Sequence, residues 1–403
     1  MLLSFKIENF KSFRDQTILD LTTNPGDEHT DEQIIPYKGK GYKKTIVFYG
    51  ANANGKSNFL DAFLALKFMV GRSKAILPNE YLPYSPFYFD ADSLAKPTSF
   101  EIEFTVQDIR YRYSLSYIQN AVIKETLYYA PNGNMVMVFV RDGQVIKGRK
   151  DMEQFTTPAL TARNKLFLTT AASFNNEPSN TVTNFLTNGL YLDKQNARFN
   201  VDPNVSVLDF QCFDAVLNDP KYKKFLLSLL QAADFNINDI KVEKNIIKTL
   251  LPTGPGESYN YNVYLAHDIK GEKKWLGINL ESAGTRTILS ISHLFYEAFI
   301  SEKIFIVDEL ESSLHPSELS FLVKLFAEKS SKSQLLFTAH NPCIMEEKLL
   351  RRDEYYFVDK NNEGVSQLYS LADFSVRKDT SFAKEYYLGR YGAIPLIKDG
   401  FVS

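Results

Sequence analysis

Cysteine is nearly absent: the chain has two, Cys212 and Cys343, far apart and without metal-ligand spacing. That excludes a disulfide framework and leads us to expect free, buried thiols in a reducing compartment. Strong charge of one sign is lacking as well. A formal net charge of −2 gives no global attraction for nucleic acid, so DNA or RNA contact would need a local patch. No apolar run approaches the ~20 residues of a membrane span. Met1 to Glu8 is broken by charge and has no basic leader, so the expectation is a cytoplasmic protein with no membrane partner. No heptad pattern is sustained, which argues against a long coiled coil. What is present is 403 residues with 44% hydrophobic content, enough for two or three packed units.

The most informative stretch is Gly50-Ala51-Asn52-Ala53-Asn54-Gly55-Lys56-Ser57. It matches the P-loop pattern, in which glycine-permitted turns aim backbone N–H groups at phosphates, the lysine neutralises terminal phosphates and the hydroxyl reaches magnesium. The apolar run Ile46 to Tyr49 reads as a buried strand. Asn58 to Val70, with Phe59, Ala62, Phe63, Leu66 and Val70 at helical spacing, reads as the helix whose N-terminus faces the phosphates. Gly50, Asn52, Asn54, Gly55, Lys56, Ser57 and Asn58 are therefore the candidate nucleotide-binding residues, with ATP and Mg2+ as the implied ligands.

Upstream, Leu3, Phe5 and Ile7 alternate with polar residues, which predicts a strand paired with Thr17 to Leu21. Asn24 to Lys44 carries Asp27, Glu28, Asp31, Glu32, Lys38, Lys40, Lys43 and Lys44 and is expected to face water, with phosphate contact as the alternative. From Ser99 to Lys147, period-two alternation broken by turn sequences predicts an antiparallel β lobe with one packed face. Asp151 to about Lys241 reads as short amphipathic helices. Within it Lys221, Tyr222, Lys223 and Lys224 are expected to form a solvated helix face, with nucleic-acid or partner contact the alternative. Tyr259 to Ala266 and Lys274 to Leu280 look like a hairpin through Lys270 and Gly271.

The last third supplies the partners that a nucleotide site requires. Lys303 to Glu309 is an apolar strand ending in two carboxylates, the position of a Walker B acid in a parallel sheet. Asp308 is placed to hold magnesium, and Glu309 to orient or deprotonate the attacking water. A helix over Pro316 to Ser330 and a strand over Gln334 to Thr338 lead to His340. One crossover separates Asp308 from His340, so both emerge at the C-terminal edge of neighbouring strands, and His340 reads as a γ-phosphate sensor. Glu281-Ser282-Ala283-Gly284-Thr285 opens a further helix, a second potential anion site.

The order of these pieces resembles the ATP-binding-cassette ATPases of the SMC, RecF and overcoming-lysogenization-defect group. On that resemblance Asn9-Phe10-Lys11-Ser12-Phe13 is the N-terminal motif that brings Lys11 and Ser12 near the nucleotide. Ser282 to Thr285 is the signature loop, Ser313 lies in the D-loop and His340 is the switch histidine. Glu281 and Ala283 depart from the Leu-Ser-Gly-Gly-Gln form, while Ser282 and Gly284 are kept. Gln107 and Gln119 fall in the β lobe, so the Q-loop role has no holder. Leu349 to Glu354 and Leu388 to Pro395 narrow the resemblance to small bacterial abortive-infection ATPases of the AbiL and RloA type, and to the AriA subunit of PARIS defence.

The resemblance implies an α/β P-loop NTPase head with an antiparallel β lobe and an inserted helical lobe. Its parts would be residues 1–150 (P-loop and β lobe), 151–250 (helical insertion) and 251–403 (signature, Walker B and switch). It further implies a homodimer or higher homo-oligomer in which ATP joins Lys56, Ser57, Asp308, Glu309 and His340 of one copy to Ser282, Gly284 and Thr285 of another. The stretch after Val358 is too short for an appended nuclease, and Asp359, Glu363 and Asp373 are expected at the surface. The leading expectation is thus an anti-phage regulator of a separate nuclease or toxin. The alternative is a RecF- or SMC-like ATPase of DNA repair or recombination, with DNA as partner.

Overall fold

Continuous apolar runs suit strands buried on both faces, and four such runs form the parallel centre of the molecule: Thr45–Tyr49, Ile304–Val307, Gln334–Thr338 and Tyr355–Lys360. In the computed structural model, which describes residues 1–25, 30–193, 207–233, 235–251, 254–376 and 380–395, they belong to one six-stranded sheet. Its order is Leu190–Asp193, Ile304–Val307, Gln334–Thr338, Thr45–Tyr49, Tyr355–Lys360 and Ser366–Ser370. Ile306 pairs with Leu336, Leu336 with Ile46, and Tyr356 with Phe48, all in parallel. The last strand, Ser366–Ser370, returns antiparallel to Tyr355–Lys360. As expected, the strands that lead to Asp308 and His340 are neighbours.

The chain divides into two compact units, one made of Met1–Leu192, Glu302–Asp308 and Ser331–Ser403, the other of Asp193–Ser301 and Glu309–Ser330. The first unit adds a seven-stranded antiparallel sheet, in which Leu2–Glu8 lies between Thr17–Asp20 and Thr98–Val106. The remaining strands to Gly148 continue it as a meander. The N-terminal hairpin and the β lobe are therefore one sheet. The Lys56–Arg72 helix packs on its inner face: Phe5 stacks on Phe63 at 3.9 Å between ring centroids and meets Phe59 and Phe100 at 6.2 Å. These aromatic side chains are fully or almost fully buried, each stabilising the unit by roughly 1.5–3 kcal/mol relative to exposure.

Two buried polar side chains of this unit, Glu125 and Gln334, are matched to backbone. Glu125, fully buried, accepts the N–H groups of Phe167 (2.7 Å) and Leu168 (2.8 Å) and the Tyr113 hydroxyl (3.0 Å), with Arg141 3.5 Å away. It thus serves the N-terminus of the Phe167–Ser173 helix, where a negative charge is favoured. The buried Gln334 side chain closes on Leu2, accepting its N–H at 2.6 Å and donating to its carbonyl at 3.1 Å and to that of Lys43 at 3.0 Å.

The region expected to be solvated before the P-loop strand is instead partly core. Ile34–Tyr37 and Lys40–Lys43 form a hairpin. Lys43 and Lys44 are both buried, and Lys43 Nζ donates to Asp20 O (2.8 Å) and Tyr356 Oη (3.0 Å). Asp27 and Glu28 lie outside the described residues.

The second unit contains the helices Val207–Asn218, Pro220–Ala232, Ala283–Ile300 and Pro316–Lys329 and a three-stranded sheet of Ile237–Leu251, Gly254–Ile269 and Glu272–Gly277. The expected hairpin is present, extended by a third strand in a stretch read as helical up to Lys241. Asp239, Lys241, Glu243 and Lys244 mask a strand whose inner positions are Ile237, Ile240 and Val242. Tyr222 does not share a solvated face with its lysines. It is buried, its hydroxyl 3.0 Å from Cys212 Sγ and 2.6 Å from Ser292 Oγ. Both cysteines are buried and neither forms a disulfide.

Candidate nucleotide site

The loop from Gly50 to Gly55 links the fully buried Thr45–Tyr49 strand to the Lys56–Arg72 helix. Its glycines answer to close approaches. Gly50 (φ +156°) and Gly55 (φ +113°) adopt conformations unsuited to L side chains, and a Cβ would collide with the Val358 carbonyl at the first and with the Ser366 and Ser12 hydroxyls at the second. Ala53 is left-handed at φ +65°. Among the described residues no side chain caps the helix, so its first-turn N–H groups suit an anion. Lys56 folds back, Nζ donating to Gly50 O at 2.6 Å and Ala51 O at 3.3 Å. Asn52 is exposed at the crest of the loop, and Ser57 is half-buried.

Asp308 follows the Ile304–Val307 strand, and its Oδ1 accepts the Thr338 hydroxyl at 2.7 Å. Thr338 ends the strand next to the P-loop strand, paired with Phe48. The sequence reading missed Thr338. His340 is exposed two residues further on.

The N-terminal motif borders the same helix. Asn58 Nδ2 donates to Ser12 Oγ at 2.9 Å, and Lys11 Nζ meets Asp61 Oδ2 at 2.6 Å. Burial pulls the Lys11 ammonium below its ordinary pKa. Asn9 anchors the motif, donating to Ser93 O and Lys96 O and accepting from Phe87 N.

A third support was misread. Asp359, expected at the surface, is half-buried and accepts from Asn54 Nδ2 at 3.0 Å. Lys360 Nζ donates to Ala53 O, and Ser366 Oγ donates to Asn54 O at 2.5 Å. Ser366 N also donates to Ser12 O at 2.7 Å, so the terminal hairpin and the N-terminal motif clasp one loop.

Glu309, Ser282, Gly284 and Thr285 belong to the second unit. Ser282 is exposed and caps the Ala283–Ile300 helix, its Oγ accepting from Thr285 N at 3.0 Å. Thr285 is buried and its hydroxyl lies 2.7 Å from Ser282 Oγ. A Cβ on Gly284 would come within 3.1 Å of Ser313 O, so the second unit seats its Ser282 loop against its Ser313 loop. Glu281, the departing position, lies 2.7 Å from His267 Nε2 in the three-stranded sheet. Glu309 (φ +54°) and Ser313 (φ +64°) are left-handed.

Among the described residues no group of three or more His, Cys, Asp and Glu could hold a metal ion. A magnesium bound through one hydroxyl, one carboxylate, phosphate oxygens and water needs no such group, and Ser57 with Asp308 fits that donor set. Among the described residues no helix is long and apolar enough to cross a membrane.

The family described as "AAA domain, putative AbiEii toxin, Type IV TA system" matches residues 46–139 and 172–346. No curated protein matches the chain. Among solved structures it is similar to the SMC head domain from Thermotoga maritima at 15% identity, covering 92% of this chain and 98% of that one, with a TM-score of 0.41. It is similar to an SMC head bound to the C-winged helix domain of ScpA (14% identity, 96% and 99% covered, TM-score 0.45). A third is an SMC head with an extended coiled coil bound to the C-terminal domain of ScpA, derived from Pyrococcus furiosus (12% identity, 97% and 98% covered, TM-score 0.42).

Proposed function

This chain belongs to the AAA domain family of putative AbiEii toxins, and from that premise we propose that it binds and hydrolyses ATP with magnesium and uses the nucleotide to join copies of itself. The observation that carries the reading is the Gly50–Ser57 loop, which runs from a buried parallel strand into an uncapped helix N-terminus. Asp308 stands at the end of a strand of the same sheet, held by Thr338.

Loop amides and Lys56 receive the phosphates, and Lys56 exchanges the carbonyls of Gly50 and Ala51 for phosphate oxygens. Ser57 and Asp308 would hold the magnesium, which when bound would supply positive charge to neutralise the phosphates. Glu309 takes the proton of the attacking water as its oxygen bonds to the γ-phosphorus and the bond to the ADP oxygen breaks. His340 donates to the γ-phosphate. Lys11 and Ser12 steady the start of the helix, and Ser282, Gly284 and Thr285 of a second copy close the site. The family description, a putative AbiEii toxin of a type IV toxin–antitoxin system, supports an anti-phage role. The finer reading, a cytoplasmic ATPase of the AbiL, RloA and AriA kind whose joined heads control a separate nuclease or toxin, rests on the sequence resemblance alone.

Turnover of ATP by the purified chain tests this. Lys56→Ala and Glu309→Gln are expected to lower it by at least ~100-fold, with Glu309→Gln still retaining nucleotide. Undiminished turnover in both variants overturns the assignment. Stimulation by bare DNA that collapses as salt rises would replace the defence reading with the DNA-repair one.

A further inference from the structure

We propose that Asp359 is a positioning residue for the phosphate-binding loop, and that the turn Gly389–Ala393 sets its position. The C-terminal segment would thereby govern how tightly the loop holds a nucleotide. The inference rests on the ATP reading above for its ligand, and on geometry alone for the coupling.

The loop has to be held from outside. Ala53 sits at φ +65°, a conformation that persists only where surroundings over-determine it. Asn54, the next residue, has its side-chain N–H on Asp359 Oδ1 and its carbonyl on the Ser366 hydroxyl. Asp359 is thereby the acceptor that fixes the middle of the loop from the side.

The same carboxylate reaches the other way. Its Oδ2 accepts the backbone N–H of Ala393 at 3.1 Å, while Oδ1 also takes the N–H of Lys360 at 2.9 Å. The turn that presents Ala393 is itself pinned. Tyr369 Oη donates to Tyr391 O at 2.7 Å, Tyr386 Oη donates to Ala393 O at 3.3 Å, and the Phe357 ring stacks with those of Tyr386 and Tyr391 at centroid distances of 5.6 and 5.5 Å. Gly392 is at φ +65°, where a Cβ would stand 2.9 Å from Asp359 Oδ2 and 2.8 Å from Tyr369 Oη. The absence of a side chain at position 392 is what lets the carboxylate sit where Asn54 finds it. One residue thus carries a hydrogen bond from the phosphate loop and another from the C-terminal turn, and displacement of either end shifts the other.

Two variants separate this from a merely structural role. In Asp359→Asn the side chain can accept from Asn54 or from Ala393 through its one oxygen, not both. Gly392→Ala pushes the carboxylate from a position outside the phosphate loop. Both are expected to weaken Mg-ATP binding by about 5- to 20-fold, roughly 1–2 kcal/mol, with turnover at saturating ATP changed less than about 3-fold. Amide hydrogen exchange at residues 51–55, measured without nucleotide, is expected to rise in both. Should either variant fail to fold, Tyr369→Phe, which removes only the hydroxyl holding Tyr391, is expected to show the same exchange change. Exchange and affinity within twofold of wild type in folded variants overturn the proposal, as does tighter binding, which would make Asp359 a repelling charge. Wild-type protein that fails to bind Mg-ATP sinks the ATP reading, while the exchange comparison still decides the coupling.

Discussion

Thr338 contributes one hydroxyl to the site, and that hydroxyl fixes the rotamer of Asp308. A carboxylate left to rotate holds a hard, geometrically demanding cation less well. Thr338→Val keeps the shape and removes the bond. It is expected to raise the magnesium concentration for half-maximal ATP turnover by roughly 10-fold while leaving the melting temperature near wild type. An unchanged magnesium requirement would show that Asp308 is oriented otherwise. Glu354 offers a prediction of a different kind. Burial raises its carboxyl from 4.5 to about 8, even though it accepts N–H groups from Arg351 (2.9 Å) and Thr45 (3.3 Å). Between those pH values the folded protein keeps a proton that the unfolded chain has lost. The contribution is therefore fully present below about pH 4.5 and is lost as pH rises through about 8. Urea unfolding from pH 5 to 8 should show stability declining by up to about 1.4 kcal/mol per pH unit, and Glu354→Gln should flatten that slope. A wild-type slope no steeper than that of the variant would refute it.

At the scale of the element, Glu125 ties the Ala121–Ala130 strand to the Phe167–Ser173 helix through two backbone N–H groups. Removing the carboxylate leaves those donors and the buried Arg141 without it. Glu125→Ala should cost about 3–5 kcal/mol in urea unfolding, and a loss below about 1 kcal/mol would show that water or a shift replaces it. Elements whose periodicity is undisturbed were legible in the sequence: the P-loop strand and helix, the β meander, and the crossover from Asp308 to His340. Gly50 and Gly55 announced themselves because backbone and hydroxyls crowd where their Cβ atoms would be. The strand Ile237–Leu251 was hidden by its charged outward positions. Lys43 and Lys44 looked like solvated charge, because a buried lysine is betrayed only by acceptors distant in sequence, such as Asp20 and Tyr356 for Lys43. Asp359 was unreadable for the same reason: Asn54 and Ala393 lie far from it along the chain.

For the whole molecule, the proposed site needs two copies, because Ser282 and Gly284 would act on a neighbour's nucleotide. Lys56→Ala and Gly284→Asp protomers should each be inactive alone. Mixed as heterodimers they keep one intact composite site in two, so about half of wild-type turnover per heterodimer is expected if the sites act independently. A silent mixture in which heterodimers demonstrably form would place both half-sites in one copy.

The Gln334 side chain that closes on both backbone groups of Leu2 also has a meaning in time. At roughly 5–20 residues per second a ribosome takes on the order of half a minute to travel from the first of these residues to the second. Through that interval the opening strand has its hairpin partner but not its buried seal, and the parallel strand that supplies the seal does not yet exist. Birth of the first unit is therefore a late event in synthesis, and a nascent chain released before Gln334 emerges would present its N-terminal strand unsealed to whatever chaperone or protease meets it.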